Sequence, residues 1–323
     1  MQEVSKQQFY EAISDFEWIP FTQNDAYCRS QVPADSLRYY LDNSDLPRIG
    51  CVGFHRRHLG LKLLRVVGEC KKNRVLPKEL VSEFYEQITH TDYSIIQLNL
   101  DTPYSPENEI AMRLAGYLRP IGLYSTTLSK IILTDPEKHH FNKHWRNNLN
   151  KSQRNNLLLR VIDRPQENDI RDFADKYAEM LDRKHFSDSL SYDQLSILMC
   201  DEHYKMLVVE TETGERIAGR IMYIHGQTAY GMYSYTNLKG RDLSASYFLY
   251  EQQCKYLYDN GIEQFDVGRI SPGQSAKNGI FHFKDGVSGE YVKYLGEWEF
   301  VRNRCLSLLL YIVKVLKNKQ LRV

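Results

Sequence analysis

The stretch FDVGRISPGQSAKNGIFHFKDGVSGEYVKYLGEWE, residues 265–299, decides how the rest of the chain is interpreted. It begins with a short apolar strand, has Asp266 and Arg269 at the end of that strand, and continues into a loop rich in Gly, Ser and Pro. The chain then returns through Phe283 and a lone Lys284. Loops that a rigid scaffold positions between strands often carry function. We therefore expect the chemistry of this protein within residues 265–299.

We interpret the segment after this loop as a return strand. Neighbouring side chains of a strand point to opposite faces, so His282 and Lys284 share one side while Phe283 points away. His282 is therefore a candidate general base beside Lys284, and a histidine that faces solvent is the alternative. The loop between the two strands is interpreted as a mobile cover over the site.

The composition describes a globular chain with no dominant charge. The sequence has 323 residues, 42% of them hydrophobic, which suits two domains with real cores. Lys and Arg total 42 and Asp and Glu total 41, so the net charge is +1 and no overall field indicates a nucleic-acid binder. Any basic surface must be local.

Cysteines and apolar runs exclude several other classes of protein. The six cysteines are scattered and form no C-x-x-C pair, which indicates neither a zinc site nor a disulfide framework. The polar N-terminus contains acids and lacks the apolar core of a signal peptide. No run approaches the roughly 18 apolar residues that span a bilayer. We expect a cytoplasmic protein with reduced thiols and no bound metal.

Hydrophobic periodicity predicts two similar α+β halves. In the first half, a strand hairpin precedes a helix that Pro77 opens, with Leu80, Phe84 and Ile88 on one face. In the second half, a helix precedes three strands, and a long helix that Gly261 caps leads into the last strand. The predicted strands are residues 49–54, 61–67, 94–100, 125–133, 205–211, 216–225, 228–235 and 263–268, and the main predicted helices are residues 77–90, 107–117, 169–183 and 243–260.

The two halves set the predicted domain boundaries. We expect an N-terminal domain in residues 1–135, a C-terminal domain that carries the active site in residues 136–300, and a C-terminal helix in residues 301–323. This last helix has apolar residues on nearly every face and cations at its ends. It either docks on the body or a partner subunit, or lies on an anionic membrane surface.

A second informative stretch, residues 136–156, is predicted to be an amphipathic helix. At about 100° per residue, Phe141, Trp145 and Leu149 form one stripe, with cations on the opposite side. The basic face either is simply solvated or binds phosphate or carboxylate groups of a substrate. Its cations are Lys143, Arg146, Lys151 and Arg154.

Four segments give the chain a recognisable likeness: GYLRPIGLYSTTLSKIIL (residues 116–133), WRNNLNKSQRN (145–155), FDVGRISPG (265–273) and FHFKDGVSGEYVKYLGEWE (281–299). Together they resemble the Fem family of peptidoglycan interpeptide-bridge transferases and its relatives in the GNAT superfamily. The most specific parts are the tryptophan-containing helix and the order of strand, Gly-rich loop and Phe-Lys that ends at Lys284.

The resemblance implies a fold, a reaction and substrates. The fold would be two tandem GNAT-like domains with mixed, mostly antiparallel sheets flanked by helices and a substrate channel along their junction. The reaction would be acyl transfer from aminoacyl-tRNA or acyl-CoA to an amine of a cell-envelope precursor, nucleotide- or lipid-linked, with no tightly bound cofactor. The donor stays open, because no coiled-coil arm is visible and the nearest match to an acyl-CoA loop, residues 57–62, lacks its final small residue.

Lys284 is the first candidate for catalysis. Attack of an amine on an ester or thioester places negative charge on the carbonyl oxygen, which a fixed cation stabilises. Asp266 and Arg269 either orient the substrate or pair with each other. The candidate catalytic residues are Lys284, Asp266 and His282, and the candidate substrate-binding residues are Arg269, Phe283, Trp145, Arg146, Lys151, Arg154, Tyr233 and Tyr235.

Two further features have competing interpretations. Tyr233 and Tyr235 alternate on a strand and either stack on a sugar ring or belong to the core. His140 and His144 are spaced to share a metal, but the sequence offers no third ligand beside them.

The sequence as a whole predicts an acyltransferase that forms an amide on a peptidoglycan or polysaccharide precursor, in the cytoplasm or at the inner face of the membrane. The alternatives are an acetyl-CoA-dependent N-acetyltransferase that acts on an amino sugar, and a catalytically silent protein of the same fold that binds a glycan or nucleotide-sugar.

Overall fold

The computed structural model describes residues 1–120, 128–186, 188–270 and 279–317. The chain forms two compact units, the first of Met1–Thr127 with Lys293–Val323 and the second of Leu128–Val292. The sequence placed domain boundaries after residues 135 and 300, and that functional division stays a prediction.

Helices and strands alternate along the chain. The first part contains β1 (Gln2–Val4), α1 (Lys6–Ala12), α2 (Asp25–Gln31), β2 (Leu37–Leu41), β3 (Ile49–His58), β4 (Leu61–Val67), β5 (Cys70–Lys71), α3 (Lys78–Thr89), β6 (Ile95–Pro103) and α4 (Pro106–Leu114). The middle part contains β7 (Leu128–Leu133), α5 (Lys143–Gln153), β8 (Leu158–Ile162), α6 (Glu167–Lys184), α7 (Tyr192–Met199), β9 (Tyr204–Glu210), β10 (Arg216–His225), β11 (Thr228–Thr236), α8 (Leu238–Asp242), α9 (Ala245–Asp259), β12 (Gln264–Asp266) and α10 (Gly279–Asp285). The last part contains β13 (Glu290–Val301) and α11 (Arg304–Lys317).

The sheet of the first unit has the order β1-β2-β3-β4-β6-β13, with β5 paired to β3. Strands β4 and β6 run parallel, and the other described pairs are antiparallel. Helices cover both faces of this sheet: α3 and α4 pack over one core, and α1 and α2 over another. On α3, Phe84 and Ile88 are buried and Leu80 packs against them, which confirms the predicted apolar face.

The predicted hairpin of the first half is confirmed. Strands β3 and β4 pair up to His58 and Leu61, which leaves a two-residue turn. Leu59 and Gly60 have φ values of 48° and 76° in this turn. Positive φ at both central positions gives a turn whose twist matches that of the two strands.

A buried polar cluster joins side chains of β5, β6 and α3 in the first unit. Lys71 and Glu69 form an ion pair with 2.8 Å between Nζ and Oε1, and both side chains are almost fully buried. Thr102 and Tyr85 donate hydrogen bonds to the Glu69 carboxylate. Burial first, and then the charge of Glu69, raises the pKa of Asp101 to about 7. Asp101 is thus a neighbouring acid whose ionisation opposes folding.

The sheet of the second unit repeats the plan, with the order β8-β9-β10-β11-β12-β7. Strands β11 and β12 are parallel, and the other described pairs are antiparallel. Its main core contains Trp145 and Leu149 of α5, Leu249 of α9 and Phe265 of β12. The α+β class with mostly antiparallel sheets flanked by helices, predicted from the sequence, is confirmed.

The parallel pair of the second unit is short. Residues 228–230 of β11 pair with residues 264–266 of β12, after which β12 ends. Strand β11 continues to Thr236 and pairs only with β10 over that part of the described chain. The sheet therefore opens at Asp266, the last residue of β12.

Two local predictions were wrong. Residues 279–285 form helix α10, where the alternating apolar residues had predicted a strand. The predicted helix of residues 136–156 is a 3-10 turn at Pro136–Lys138 followed by α5, which starts later because the Asn142 side chain accepts a 2.9 Å hydrogen bond from the backbone N–H of Trp145. Phe141 precedes the helix and still stacks on Trp145, with 4.5 Å between ring centroids.

Candidate active site

Helix α10 is held against the second unit by an aromatic cluster. The Trp145 indole N–H donates a 2.9 Å hydrogen bond to the backbone carbonyl of Phe283. The Phe283 ring lies 5.1 Å from Tyr247, 5.4 Å from Trp145 and 5.8 Å from Tyr250, measured between centroids. These contacts fix the helix that carries Lys284.

Trp145 itself is 0% exposed. It therefore has no free surface for the direct substrate contact that the sequence predicted, and we assign it a positioning role. Phe283 is half-buried within the same cluster, so a substrate contact by its ring stays a prediction.

The Lys284 ammonium points back to the end of β12. Its Nζ donates a 2.8 Å hydrogen bond to the backbone carbonyl of Arg269. Burial lowers the pKa of Lys284 to about 8; Arg220 lowers it as well, and Asp266 opposes the shift. Lys284 is thus a desolvated cation that is still mostly protonated at neutral pH.

Among the described residues, Ser129 and Gly268 donate hydrogen bonds to Asp266. Its Oδ1 accepts hydrogen bonds from the Ser129 hydroxyl and from the Gly268 backbone N–H, the latter at 2.8 Å. The side chain is 5% exposed. These hydrogen bonds fix the orientation of the Asp266 carboxylate, whose charge acts on Lys284.

Gly268 makes the turn between Asp266 and Arg269 possible. It has a φ of 79°, where a side chain is disfavoured. A Cβ at this position would lie 3.2 Å from the carbonyl oxygen of Gly231 and 3.5 Å from Lys284 Nζ. The glycine therefore lets β11, the turn and the Lys284 amine approach each other closely.

The remaining catalytic candidate, His282, does not lie on the same side of α10 as Lys284. On a helix, residues two apart are about 200° apart around the axis, so His282 and Lys284 do not share a side. His282 is exposed and its ring lies 5.5 Å from Phe281. The inference of a base beside Lys284 rested on a strand and is wrong on that point.

The other predicted binding residues occupy two kinds of position. Arg269, Arg146, Lys151 and Arg154 are exposed, so their substrate contacts stay predictions. Tyr235 is 1% exposed and packs on Phe173 at 5.0 Å, while Tyr233 is half-buried against Tyr177 at 5.6 Å. The burial of Tyr235 fits the core alternative. The predicted mobile cover, residues 271–278, lies outside the described residues.

Sequence reasoning missed Arg220, Gln253 and Ser129. Arg220 lies on β10 and donates a 2.9 Å hydrogen bond from Nη1 to Gln253 Oε1. Its signal in the sequence was a single cation inside the apolar run IAGRIMYI, since charged residues are rarely placed within a buried strand.

Two other features lie outside this site. The His144 ring is within 3.3 Å of the Tyr247 hydroxyl, and the described residues contain no group of three or more His, Cys, Asp or Glu side chains that suits a metal. A surface groove of about 460 Å³ borders α6 and the turn between β9 and β10. Arg216 in this groove is paired with Asp169 at 2.6 Å, which gives it a structural explanation.

Part of the sequence and the fold of the chain are similar to those of known proteins. The sequence model of the FemAB family matches residues 200–314. No curated protein matches the sequence. The structure of FemX is similar over 96% of this chain and 100% of that chain, with 12% identity and a TM-score of 0.77.

Two further structures share the fold. L-PGS from Bacillus licheniformis is similar over 98% of each chain, with 14% identity and a TM-score of 0.63. A tandem GNAT protein from the clavulanic acid biosynthesis pathway is similar over 93% of this chain and 98% of that chain, with 9% identity and a TM-score of 0.51. Residues 200–314 therefore match the FemAB family model, and the chain as a whole shares its fold with FemX.

Proposed function

We propose that this protein is an acyltransferase that forms an amide on an amine of a cell-envelope precursor. One observation supports the proposal: Lys284, within the residues that match the FemAB model, is a half-buried cation that donates to the Arg269 carbonyl where the second sheet opens, and the charge of Asp266 acts on it. Desolvated cations with shifted pKa values are frequent at functional sites.

The reaction follows from this arrangement. The acceptor amine attacks the carbonyl carbon of an ester or thioester, and a C–N bond forms. The carbonyl oxygen becomes negatively charged, and the Lys284 ammonium stabilises it in a site with little water. The C–O or C–S bond of the donor then breaks, and the leaving group takes up the proton that the amine loses.

Asp266 has a supporting role in this scheme. Its negative charge favours the protonated form of Lys284, which is the form that stabilises an oxyanion. Through Gly268 it also holds the turn that presents the Arg269 carbonyl to Lys284. The first effect keeps the Lys284 ammonium charged, and the second holds it in a fixed orientation.

The exposed cations of α5 are the proposed binding site for an anionic part of a substrate. Arg146, Lys151 and Arg154 lie on the helix whose Trp145 anchors α10, and arginine and lysine bind phosphate and carboxylate groups well. We assign them to an anionic part of the precursor or of the donor. The acyl donor is aminoacyl-tRNA or acyl-CoA.

The C-terminal segment points to an anionic membrane face. The sequence of residues 301–323 contains six cations and no acid. Helix α11 exposes Leu308, Leu309, Ile312 and Leu316, and its Lys314 pairs with Glu299 at 2.8 Å. Apolar side chains among cations favour binding in the interface of an anionic bilayer. None of the described helices has the length and apolar character to cross a bilayer.

The test is transfer of a labelled acyl group. Purified protein is incubated with labelled aminoacyl-tRNA or labelled acetyl-CoA and with peptidoglycan-precursor or amino-sugar acceptors, and amide products are separated and counted. Label in an envelope-precursor amide supports the proposal, and label from acetyl-CoA in an amino sugar supports the N-acetyltransferase alternative. Binding of an acceptor without product from either donor supports a silent binding protein.

A further inference from the structure

Arg220 is a cation in the second unit that the reaction scheme leaves without a role. Its guanidinium lies 5.7 Å from the centroid of the Phe265 ring and donates to Gln253 Oε1. Burial lowers the pKa of Arg220. None of the carboxylates in the described part of the chain forms an ion pair with it. Arg220 is half-buried, and charges withdrawn from water are normally paired, so this arginine lacks the usual counter-ion among the described residues.

Two more polar groups beside Arg220 also lack partners. Gln253 is 0% exposed, and its Nε2 has no hydrogen-bond partner among the described residues. The hydroxyl of Tyr250, also buried, is likewise without a partner there, and Tyr250 is close enough to Arg220 to interact with it electrostatically. Because buried polar atoms are nearly always hydrogen-bonded, these two unpartnered groups beside Arg220 indicate a missing ligand.

The local charges define what that ligand must carry. Arg220 and Lys284 contribute two positive charges, and Asp266, which also acts on Lys284, contributes one negative charge, so these three described side chains together carry one positive charge. A group with one negative charge balances it. The free donors are N–H and O–H groups, which match the oxygens of a phosphodiester or a carboxylate.

We propose that Arg220, the Gln253 amide and the Tyr250 hydroxyl form an anion subsite beside Lys284 that binds a singly charged phosphodiester or carboxylate group of a substrate. This inference rests on the proposed acyl transfer, since the subsite places the bound group next to the reacting carbonyl. A phosphodiester would belong to a nucleic-acid, nucleotide-linked or lipid-linked substrate. A carboxylate would belong to a peptide or amino-acid substrate.

The subsite is tested by direct binding, without any acyl transfer. Dimethyl phosphate and acetate, each a monoanion at neutral pH, are titrated into the full chain by calorimetry at constant low ionic strength. We expect one of them to bind with 1:1 stoichiometry. Arg220→Met should weaken that binding at least tenfold. Arg220→Lys should weaken it less, because lysine keeps the positive charge, but should still weaken it, because lysine lacks the planar pair of donors.

Two further variants keep the test decisive. Arg171→Met removes an exposed arginine that pairs with Glu167, and it should bind the probe as the wild type does. Tyr250→Phe removes only the hydroxyl and should weaken binding severalfold, which provides a result if Arg220→Met does not fold. The preferred probe identifies the substrate group as a phosphodiester or a carboxylate.

Two results would overturn the subsite. One is a wild-type protein that binds neither probe, and the other is unchanged binding in both Arg220→Met and Tyr250→Phe. Binding that depends on Arg220 in a protein that transfers no acyl group would leave the subsite in place and remove only the proposed reaction. The two failures are therefore distinguishable.

Discussion

The protonation of Lys284 should limit the reaction at alkaline pH. The ammonium is the form that stabilises an oxyanion, and burial lowers its pKa to about 8. With that pKa, about 90% of Lys284 is protonated at pH 7 and about 10% at pH 9. We therefore expect kcat/KM to fall roughly tenfold between pH 7 and pH 9, after correction for ionisation of the acceptor amine.

Neighbouring charges should move this inflection in opposite directions. Arg220 lowers the pKa of Lys284, so Arg220→Met should shift the fall in kcat/KM to higher pH. Asp266 raises it, so Asp266→Asn should shift the fall to lower pH. A merely structural role for either residue would lower the rate without moving the inflection.

The assay is the initial rate of amide formation from labelled donor between pH 6 and pH 10. The acceptor's own pKa is measured separately, because its neutral form is the nucleophile. As an independent readout, modification of Lys284 by an amine-reactive reagent is followed by mass spectrometry across the same range. An inflection near 10.5, the ordinary value for a lysine, or a profile that both variants leave in place, would refute the assignment.

Three further predictions concern stability, positioning and membrane contact. Asp101 has a pKa raised from 3.8 to about 7, so the free energy of unfolding should fall by at most about 4 kcal/mol as pH rises from about 4 to 7. Urea titrations of Asp101→Asn should show no such fall. Trp145→Phe should cost about 1 kcal/mol in the same titrations and lower kcat, whereas Trp298→Phe, whose indole N–H has no partner in the described part of the chain, should cost less. The wild type should sediment with vesicles of phosphatidylglycerol and phosphatidylcholine but not with vesicles of phosphatidylcholine alone, and the double variant Leu309→Glu, Ile312→Glu should sediment less with the anionic vesicles.

Each of these three has a contradicting result. An unchanged pH dependence in Asp101→Asn would show that its ionisation does not oppose folding. Equal losses in the two tryptophan variants would remove the special role of the α10 contact. Two results would show that the exposed face of α11 does not bind the membrane: vesicle binding that survives in the double glutamate variant, or self-association of the wild type through α11.

Periodicity predicted the scaffold well where one signal dominated. The hairpin of β3 and β4 followed from two apolar runs around His58, Leu59 and Gly60, and the helix after Pro77 followed from its four-residue spacing. The resemblance to the Fem family, also drawn from the sequence, is confirmed by the match over residues 200–314 and by the shared fold.

Helix α10 shows why the rest could not be predicted. Its residues Phe281, His282, Phe283 and Lys284 alternate as a strand would, and local pattern alone favours that assignment. The helix is stabilised instead by a tertiary contact, the hydrogen bond from the Trp145 indole to Phe283. Tertiary packing overrides local preference in such short segments.

The site was predictable only in part for a related reason. Lys284 and Asp266 lie in one stretch of sequence, whose local pattern was enough to predict both as candidates. Arg220 and Gln253 come from β10 and α9, and their contact depends on how α9 packs on the sheet. Such long-range contacts leave no local pattern, apart from the unusual charge inside an apolar strand.

The central claim is that Lys284 stabilises the oxyanion of an acyl transfer, and the most direct measurement compares turnover of Lys284→Ala with that of the wild type. Lys255→Ala, which removes an exposed lysine of α9, is the matched control. We expect Lys284→Ala to lose about 100-fold to 1000-fold in kcat with unchanged thermal stability, and Lys255→Ala to keep full turnover. Unchanged turnover in a folded Lys284→Ala protein would contradict the account.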